Sequence, residues 1–230
     1  MALLQGTGRS QESGKGALEE KALRFPELMW LLSLLVCLLA VVVSFAYFDV
    51  PIAVRVNGFL SSTESLARGF ASVVLLGVEG TVVLALVVVR ITRGHLTPFR
   101  EATALACLTS ICAYAINDAT LKQIFGVPTP GAVLHGGVLH AFNLLHGTAN
   151  SSFPSGHMVL AGAFAGVFMR LYHGRAWMFA VLLMTAAGLL ILGNWHFVSD
   201  VIAGAFFGIS VGLLAGELWL AHSRRGALEM

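Results

Sequence analysis

Residues 196–216 read HFVSDVIAGAFFGISVGLLAG, and their composition and glycine spacing are typical of a packed membrane helix. A helix needs about 20 mostly apolar residues to cross a bilayer, and this stretch has that length and character. Its small residues recur at every fourth position, as Gly204, Gly208, Gly212 and Gly216. Such spacing lets a second membrane helix approach closely. The same spacing reaches back to Asp200 and His196, so we expect this polar pair to face the interior of a helical bundle.

The rest of the chain has the same apolar character. Of its 230 residues, 57% are hydrophobic and only 11% are charged, whereas soluble domains are roughly 45–50% apolar and about 25% charged. Stretches that could each cross a membrane lie at residues 28–48, 70–90, 101–121, 156–172, 176–194 and 199–220. We therefore predict an all-α, polytopic membrane bundle of about six transmembrane helices over residues 27–221.

The connecting segments complete this organisation. Residues 1–26 are polar with mixed charges, which predicts a disordered cytoplasmic tail, and residues 222–230 form a second tail. Residues 49–68 mix apolar and polar side chains and suggest a segment lying in the membrane interface. Residues 126–155 form the longest predicted loop, which is rich in proline and glycine at its start.

The distribution of basic residues predicts the orientation. Of the 14 lysines and arginines, only Arg55, Arg68 and Lys122 fall on the side opposite the termini. Basic residues concentrate on the cytoplasmic side of membrane proteins. We therefore expect an integral protein of the bacterial inner membrane with both termini in the cytoplasm and the long loop outside. The net charge of +2 does not suggest a nucleic-acid partner, and the sequence leaves the oligomeric state unknown.

Cysteine usage gives no sign of a metal centre. Cys37, Cys107 and Cys112 lie within apolar stretches, which predicts that they are small core residues. No Cys-x-x-Cys motif or other metal-ligand spacing stands out. We expect neither a metal nor another cofactor.

The first polar cluster, Phe153-Pro154-Ser155-Gly156-His157, lies where the long loop meets the fourth span. Ser155 can cap the helix, and the free N–H groups of the first turn favour a bound anion such as phosphate. His157 would then lie beside that anion. A simple helix cap with an uninvolved histidine accounts for the same residues.

Two further clusters lie at the same predicted membrane side. His196 and Asp200 are four residues apart, so the carboxylate can orient the imidazole and leave its other nitrogen as a nucleophile. Lys122 ends the third span one turn after Asp118 and offers a positive charge to a phosphate. A polar helix end and a snorkelling lysine are the plain alternatives. Because three independent spans bring these clusters to one depth, we expect them to form one site.

The motif order resembles that of the type 2 phosphatidic acid phosphatase family. Lys122 precedes the Pro154-Ser155-Gly156-His157 motif, and His196-x-x-x-Asp200 follows about 40 residues later. The resemblance covers roughly residues 49–216 and implies an outward-facing lipid phosphate phosphatase. It implies that His196 forms a phospho-histidine, that Asp200 orients it, and that His157 protonates the leaving alcohol. Ser155 and the Gly156 amide would hold phosphate oxygens, which Lys122 would neutralise.

The sequence departs from the family pattern at the arginines. The first motif of the family ends in Arg-Pro, where this chain has Thr129-Pro130, and another basic position nearby is Val127. The third motif normally opens with Ser-Arg, where this chain has Leu189-Leu190. An arginine that stabilises transition-state charge in phosphoryl transfer can be worth roughly 10³–10⁵-fold in rate. The chain therefore lacks the cations expected to clamp the phosphoryl group.

Three interpretations of this loss stay open at the level of sequence. The first is that other basic groups replace the arginines, the candidates being Arg55, Arg68, His135, His140 and His146. A second is that the substrate is a phosphodiester, which carries less charge than a phosphomonoester, in a head-group phosphotransferase reaction. The third is a catalytically weak or non-enzymatic membrane protein. Under either enzymatic interpretation, the expected partner is a lipid phosphate in the bilayer.

Overall fold

The computed structural model describes residues 28–57 and 64–228, and its regular structure in those ranges is helical. The chain divides into two compact units, Met1–Leu39 and Ala40–Met230. In the first unit, the described residues 28–39 are helical. The predicted tail over residues 1–26 lies outside the described residues. The fold class, an all-α membrane bundle, is confirmed.

The helices are numbered here in chain order. They are α1 (Leu28–Val56), α2 (Glu64–Arg93), α3 (Pro98–Ile116), α4 (Pro130–Gly136), α5 (Gly156–Leu171), α6 (Ala176–Leu192) and α7 (Val198–Leu228). Helix α1 contains a π-helical turn, Ser44–Phe48. Helix α3 continues through a second π-helical turn, Asn117–Leu121, into a last α-helical turn, Lys122–Phe125.

Five helical stretches within the described residues are long and apolar enough to cross a membrane. They are Leu28–Val56, Ala71–Arg93, Pro98–Gly136, His173–Leu192 and Val198–Arg225. The remaining predicted span is α5, which is apolar but has only 16 residues. At 1.5 Å per residue it is about 24 Å long. Helix α5 also has the largest number of buried residues among the described helices, because α3, α6 and α7 pack against it.

The structure corrects the sequence at two connecting segments. Residues 49–68 were predicted to form a separate interfacial segment, but residues 49–56 continue α1 and the next helix begins at Glu64. Apolar residues on both sides of Asp49 let the helix continue, and the Asp49 carboxylate is buried inside the second unit. At the other end, α7 runs on to Leu228, beyond the predicted end of the last span.

The bundle is built on the close contact between α5 and α7. A methyl group added at Gly208 would lie 2.5 Å from the carbonyl oxygen of Val159 in α5. At Gly204 it would lie 2.5 Å from the carbonyl oxygen of Ser155. The glycine stripe therefore lets the two backbones touch, as the spacing predicted. Asp200 continues this stripe within α7, but His196 precedes the helix, which begins at Val198, so the prediction that both lie on one helix is wrong for His196. Both residues are nevertheless buried at the end of this contact.

The outward faces of the helices are apolar. Large hydrophobic side chains such as Leu84, Leu182 and Met184 are more than 60% exposed, which is the pattern of a lipid-facing surface. The burial of each cysteine depends on the face of the helix on which it lies. Cys107 is buried and Cys37 is half-buried, but Cys112 is exposed, so the prediction that all three are core residues is wrong for Cys112.

Candidate active site

The long loop folds back onto the end of α3. The backbone N–H groups of Asn143 and Leu145 donate to the carbonyl oxygens of Phe125 and Ile124, at 3.1 and 2.8 Å. Further along the loop, the N–H of Ser152 donates to Val127 at 2.7 Å. These bonds place the loop beside the N-terminus of α5.

The first turn of α5 is held by its own cap and by α3. The hydroxyl of Ser155 accepts a hydrogen bond from the N–H of Met158 at 3.4 Å, so Ser155 is the N-cap residue. The side-chain amide of Asn117 donates to the carbonyl oxygen of Pro154 at 3.3 Å. Asn117 and Ser155 are both completely buried. The turn that carries Gly156 and His157 is therefore fixed, with its N–H groups at the end of the helix.

His196 lies between a carboxylate and a second histidine. Its Nδ1 is 3.5 Å from Oδ2 of Asp200, and its Nε2 is 3.4 Å from Nδ1 of His157. The hydroxyl of Ser152 donates to Oδ2 of Asp200 and lies 3.3 Å from Nδ1 of His196. The N–H of Phe197 also donates to Asp200, at 2.8 Å. Since the carboxylate lies on the Nδ1 side, Nε2 is the nitrogen directed towards His157.

His157 has a second neighbour on the helix opposite. The hydroxyl of Ser72 in α2 lies 3.0 Å from Nε2 of His157. The ring of Trp195 packs against the His157 imidazole, with the ring centroids 5.6 Å apart. Both nitrogens of His157 therefore have polar neighbours, and the aromatic contact restrains the plane of the ring.

Lys122 approaches the same helix end from α3. Its Nζ is 2.7 Å from Asp118 and donates to the carbonyl oxygen of Ala149 at 3.2 Å. A Cβ atom added at Gly156 would lie 3.5 Å from the same Nζ, so the ammonium group is next to the first residue of α5. A π-helical turn inserts one extra residue into a helix and rotates the residues beyond it about the helix axis. The turn Asn117–Leu121 immediately precedes Lys122 and sets the direction of its side chain.

These groups share one cavity of about 680 Å³. Of the residues predicted from sequence, those that line it are Lys122, Gly156, His157 and His196. The predicted convergence of three clusters is thus what the structure shows. Asp200 does not line the cavity, and its carboxylate lies beside Nδ1 of His196. Ser155 does not line it either, because its hydroxyl caps its own helix.

The positions of the missing arginines do not supply other cations. Thr129 lines the cavity and caps α4 by accepting from the N–H of Ala132. Val127 is fully buried, and Leu190 is buried in the apolar core formed by α5, α6 and α7. Leu189 is exposed on the outside of α6. Thr129 therefore serves as a helix cap, Val127 and Leu190 are packed in the interior, and Leu189 faces outward.

Of the proposed replacements for those arginines, His146 lines the cavity. Arg55 and His135 are exposed and lie away from the cavity wall, whereas His140 is buried beside Asp49. The Arg68 side chain lies outside the described part of the chain. The lining residues therefore include one lysine and three histidines, His146, His157 and His196.

Sequence reasoning assigned no role to several residues that hold the site together. They are Ser72, Ser152, Asn117 and Asp49. Ser152 lies only three residues before Ser155, but its contact with Asp200 joins positions 48 apart. No local pattern marks a serine that bonds so distant a carboxylate. Asn117 carried one signal, since a buried amide in an apolar span is costly unless its partners are close by.

The chain resembles known proteins over the part that forms the site. A family model, that of the PAP2 superfamily, matches residues 102–224. The chain is 38% identical over 103 residues to the lipid A 1-phosphatase of Porphyromonas gingivalis. That match covers 40% of this chain and 22% of the relative, so the chain spans much less than the relative's full length. No solved structure matches the chain.

Proposed function

The chain belongs to the PAP2 superfamily, and from this premise we propose that it removes phosphate from a lipid through a phospho-histidine on His196. One observation carries the proposal. His196 lines the cavity, with its Nε2 3.4 Å from Nδ1 of His157 and its Nδ1 3.5 Å from Oδ2 of Asp200. A carboxylate, an imidazole nucleophile and a second imidazole can together carry out phosphoryl transfer through a covalent phospho-histidine.

In the first step, Nε2 of His196 attacks phosphorus and the bond to the lipid oxygen breaks. His157 gives its proton to the leaving alcohol, and Asp200 stabilises the positive charge on the His196 ring. In the second step, water attacks the phospho-histidine and gives a proton to His157. Inorganic phosphate leaves and His196 is restored. A positioned acid and base contributes roughly 10²–10⁴-fold to such steps.

The direct contact between the two rings has a consequence for binding. A phosphoryl group does not fit between two nitrogens that are 3.4 Å apart. Catalytic groups often reach their working distances only when substrate is bound. Substrate must therefore turn the His157 ring away from His196 and weaken its contact with Ser72. The anion then lies at the N-terminus of α5, beside the Gly156 amide and Lys122.

The cavity wall favours an amphiphilic substrate. One part is apolar or aromatic, with Val73, Leu76 and Tyr114, and another part carries the neutral polar groups of Thr148 and Asn150. Such a wall suits a phosphate ester that carries an apolar lipid chain. Phosphatidate, a prenyl diphosphate and the lipid A 1-phosphate of the relative's name are the substrates to test. We place the cavity at the outer face of the bacterial inner membrane, as the basic residues of the sequence indicate.

The proposal is tested with purified protein in detergent and a panel of these lipids. The protein should release inorganic phosphate from at least one of them, and His196→Ala should reduce release to background. His157→Gln should lower kcat by about 10²–10⁴-fold. A labelled substrate should leave an acid-labile phosphate on the wild-type protein and none on His196→Ala. Unchanged turnover in His196→Ala would reject the mechanism.

A second candidate function is head-group exchange: His196 attacks the phosphorus of a phosphodiester lipid, the head-group alcohol leaves, and an acceptor alcohol in place of water takes the lipid-bound phosphoryl group from the histidine. It is favoured by the low positive charge of the cavity, where the Lys122 ammonium is already paired with Asp118 at 2.7 Å. A phosphodiester carries about one negative charge and needs fewer cations than a monoester. This function predicts a new phosphodiester lipid, visible by mass spectrometry, when a donor phospholipid and an acceptor alcohol are supplied together. Release of free phosphate without a transferred product would count against it.

A further inference from the structure

A buried carboxylate from α1 contacts the first turn of α7. Asp49 is 1% exposed and precedes its partner Ser199 by 150 residues. Its Oδ1 accepts the backbone N–H of Ser199 at 3.0 Å, and its Oδ2 accepts the Ser199 hydroxyl. Asp49 does not line the cavity and has no part in the chemistry proposed above.

This contact caps α7 from another helix. The first N–H groups of any helix lack partners within that helix, and the positive end of the helix dipole favours a carboxylate there. Side-chain caps normally come from the residue just before the helix. Here the cap comes from α1, so it also ties the first turn of α7 to α1.

The residue next to Ser199 is Asp200. While Ser199 is held by Asp49, Asp200 bonds Ser152 and the N–H of Phe197. The carbonyl oxygen of Asp200 also accepts the N–H of Ser155 at 3.0 Å. The first turn of α7 is therefore held on one side by Asp49 and on the other by the loop and α5. A shift at Asp49 would move the carboxylate that contacts His196.

His140 completes the surroundings of Asp49. Its Nε2 lies 3.5 Å from Oδ2 of Asp49, and its ring lies between Phe45 and Phe197, at centroid distances of 4.1 and 4.3 Å. A buried carboxylate is costly unless polar groups surround it. His140 supplies an imidazole on the side that Ser199 leaves open. Asp49 and His140 thus form an Asp–His pair that contacts Ser199, the residue next to Asp200, through Asp49.

We propose that Asp49, acting through Ser199, is a positioning residue that sets the contact between Asp200 and His196. The proposal rests on the phosphatase function proposed above. It assigns to Asp49 an effect on the rate of the chemical step and none on substrate binding, because Asp49 is outside the cavity wall. If the contact between Asp49 and Ser199 were purely structural, its loss would change the amount or stability of folded protein. The turnover of the folded molecules would stay unchanged.

The test compares Asp49→Asn with a matched control, Glu79→Gln. Glu79 is also a carboxylate inside the bundle that accepts a serine hydroxyl, from Ser110 at 2.9 Å, but it lies away from the cavity wall. We expect Asp49→Asn to lower kcat by about 10–100-fold, as losses of such supporting contacts do, with KM within about twofold. Glu79→Gln should leave both constants unchanged.

A second variant keeps the test decisive if Asp49→Asn does not fold. Ser199→Ala removes one hydroxyl and keeps the backbone bond to Asp49, so it should give a smaller loss of kcat, again at unchanged KM. The double variant, which combines Asp49→Asn with Ser199→Ala, should show no greater loss of kcat than Asp49→Asn alone. The effects of two substitutions that remove the same contact do not add. Additive losses, a changed KM with unchanged kcat, or unchanged kcat in both single variants would overturn the proposal.

A spectroscopic measurement separates this proposal from the phosphatase function itself. In protein labelled with ¹⁵N-histidine, the His196 signals are identified by their loss in His196→Gln. Wild-type His196 should hold its proton on Nδ1, facing Asp200, and Asp49→Asn should shift this tautomer balance while Glu79→Gln does not. If no lipid is turned over but the shift is seen, the proposed function fails and the positioning role stands. Identical His196 signals in Asp49→Asn and wild type would overturn the positioning role.

Discussion

At the scale of single residues, the site depends on one strong cation. Lys122 is nearly buried, with its ammonium held between Asp118 and the carbonyl oxygen of Ala149. Both contacts hold the charge beside Gly156, where the phosphate is proposed to bind. Family arginines would share this task, but their positions here are Thr129 and Leu190. Under the proposed function, Lys122 would therefore carry a larger part of the phosphate neutralisation than a lysine in a site that keeps those arginines.

Lys122→Met should weaken the proposed reaction strongly. Hydrogen bonds to charged groups are worth about 1.5–3 kcal/mol, which corresponds to a roughly 10–150-fold loss of kcat/KM. Lys122→Arg keeps the charge and should recover part of the loss. Steady-state kinetics on the best lipid of the panel measures both variants. Equal kcat/KM in wild type and Lys122→Met would show that the phosphate is bound elsewhere.

His140 predicts a pH dependence of stability. Burial lowers the pKa of His140, and the charge of Asp200 opposes that shift. The folded state favours the neutral imidazole, so the contribution of His140 to the free energy of unfolding is fully present above the ordinary histidine pKa of about 6.5. It is lost as the pH falls through the lower pKa of the folded state.

The matching variant is His140→Phe, which keeps an aromatic ring between Phe45 and Phe197. The melting temperature of the wild type should fall as the pH is lowered from about 7.5 to about 5.5. The melting temperature of the variant should fall less over the same range, whatever its value at neutral pH. The other ionisable groups are the same in both proteins, so the difference between the two slopes reports on His140. Parallel slopes would contradict the prediction.

At the scale of helices, the contact of α5 with α7 supports the whole site. Helix α5 carries His157 at its first turn, and α7 carries Asp200 at its own. Gly204 lies against the carbonyl oxygen of Ser155, so the glycine stripe brings both helix starts together. Close backbone approach is the means by which membrane helices gain packing contacts, since lipid tails are as apolar as the side chains they replace. Packing and the geometry of the site are therefore coupled.

Gly208→Ala should destabilise the bundle. The added methyl would meet the carbonyl oxygen of Val159 at 2.5 Å and the backbone nitrogen of Ala163 at 2.9 Å, and neither can give way as a side chain does. Overpacking typically costs about 1–3 kcal/mol. For a chain of this size, each kcal/mol lowers the melting temperature by roughly 2–4 °C.

Gly80→Ala in α2 is the matched control, because a methyl group added there has no heavy atom within 4 Å. Its melting temperature should be unchanged or slightly raised, since alanine favours a helix over glycine. Thermal unfolding in detergent, followed by circular dichroism, compares the two variants with wild type. A Gly208→Ala protein as stable as Gly80→Ala would show that the contact between α5 and α7 is looser than the structure indicates.

At the scale of the whole molecule, the arrangement in the membrane follows from charge. Basic residues concentrate on the side of the termini, which predicts that the cavity opens outside the cytoplasm. Lipid phosphates in the outer leaflet would then reach Lys122 and His196 without crossing the bilayer. The location of the cavity thus determines which pool of lipid the proposed enzyme acts on.

Cysteine labelling in intact cells tests this orientation. In a variant with Cys37, Cys107 and Cys112 replaced by alanine, single cysteines are introduced by His135→Cys and Ser223→Cys. Both positions are exposed in the structure. A membrane-impermeant maleimide should label the first in intact cells with a permeable outer membrane, and the second only after the inner membrane is opened. The reverse pattern would place the cavity on the cytoplasmic side.

The sequence by itself determined the features that depend on local chemistry. Hydropathy identifies the membrane helices because a bilayer demands about 20 apolar residues from each helix. The helix start at Ser155 and the pair His196 and Asp200 are visible because caps and four-residue spacing are local. The glycine stripe even indicated which way that pair faces. Thus the class of fold and the three clusters around the cavity were predictable.

Only the tertiary structure decided which distant groups support those clusters. Ser152 and Asp49 reach the first turn of α7 from positions 48 and 150 residues away from their partners. The π-helical turn before Lys122 and the inward burial of Leu190 depend on packing as well. A single buried serine or aspartate carries no periodic pattern, because its role depends on what the fold places opposite it. For this reason the sequence pointed to residues of the cavity wall such as Lys122 and His196, and not to Ser152 or Asp49, whose contacts depend on the fold.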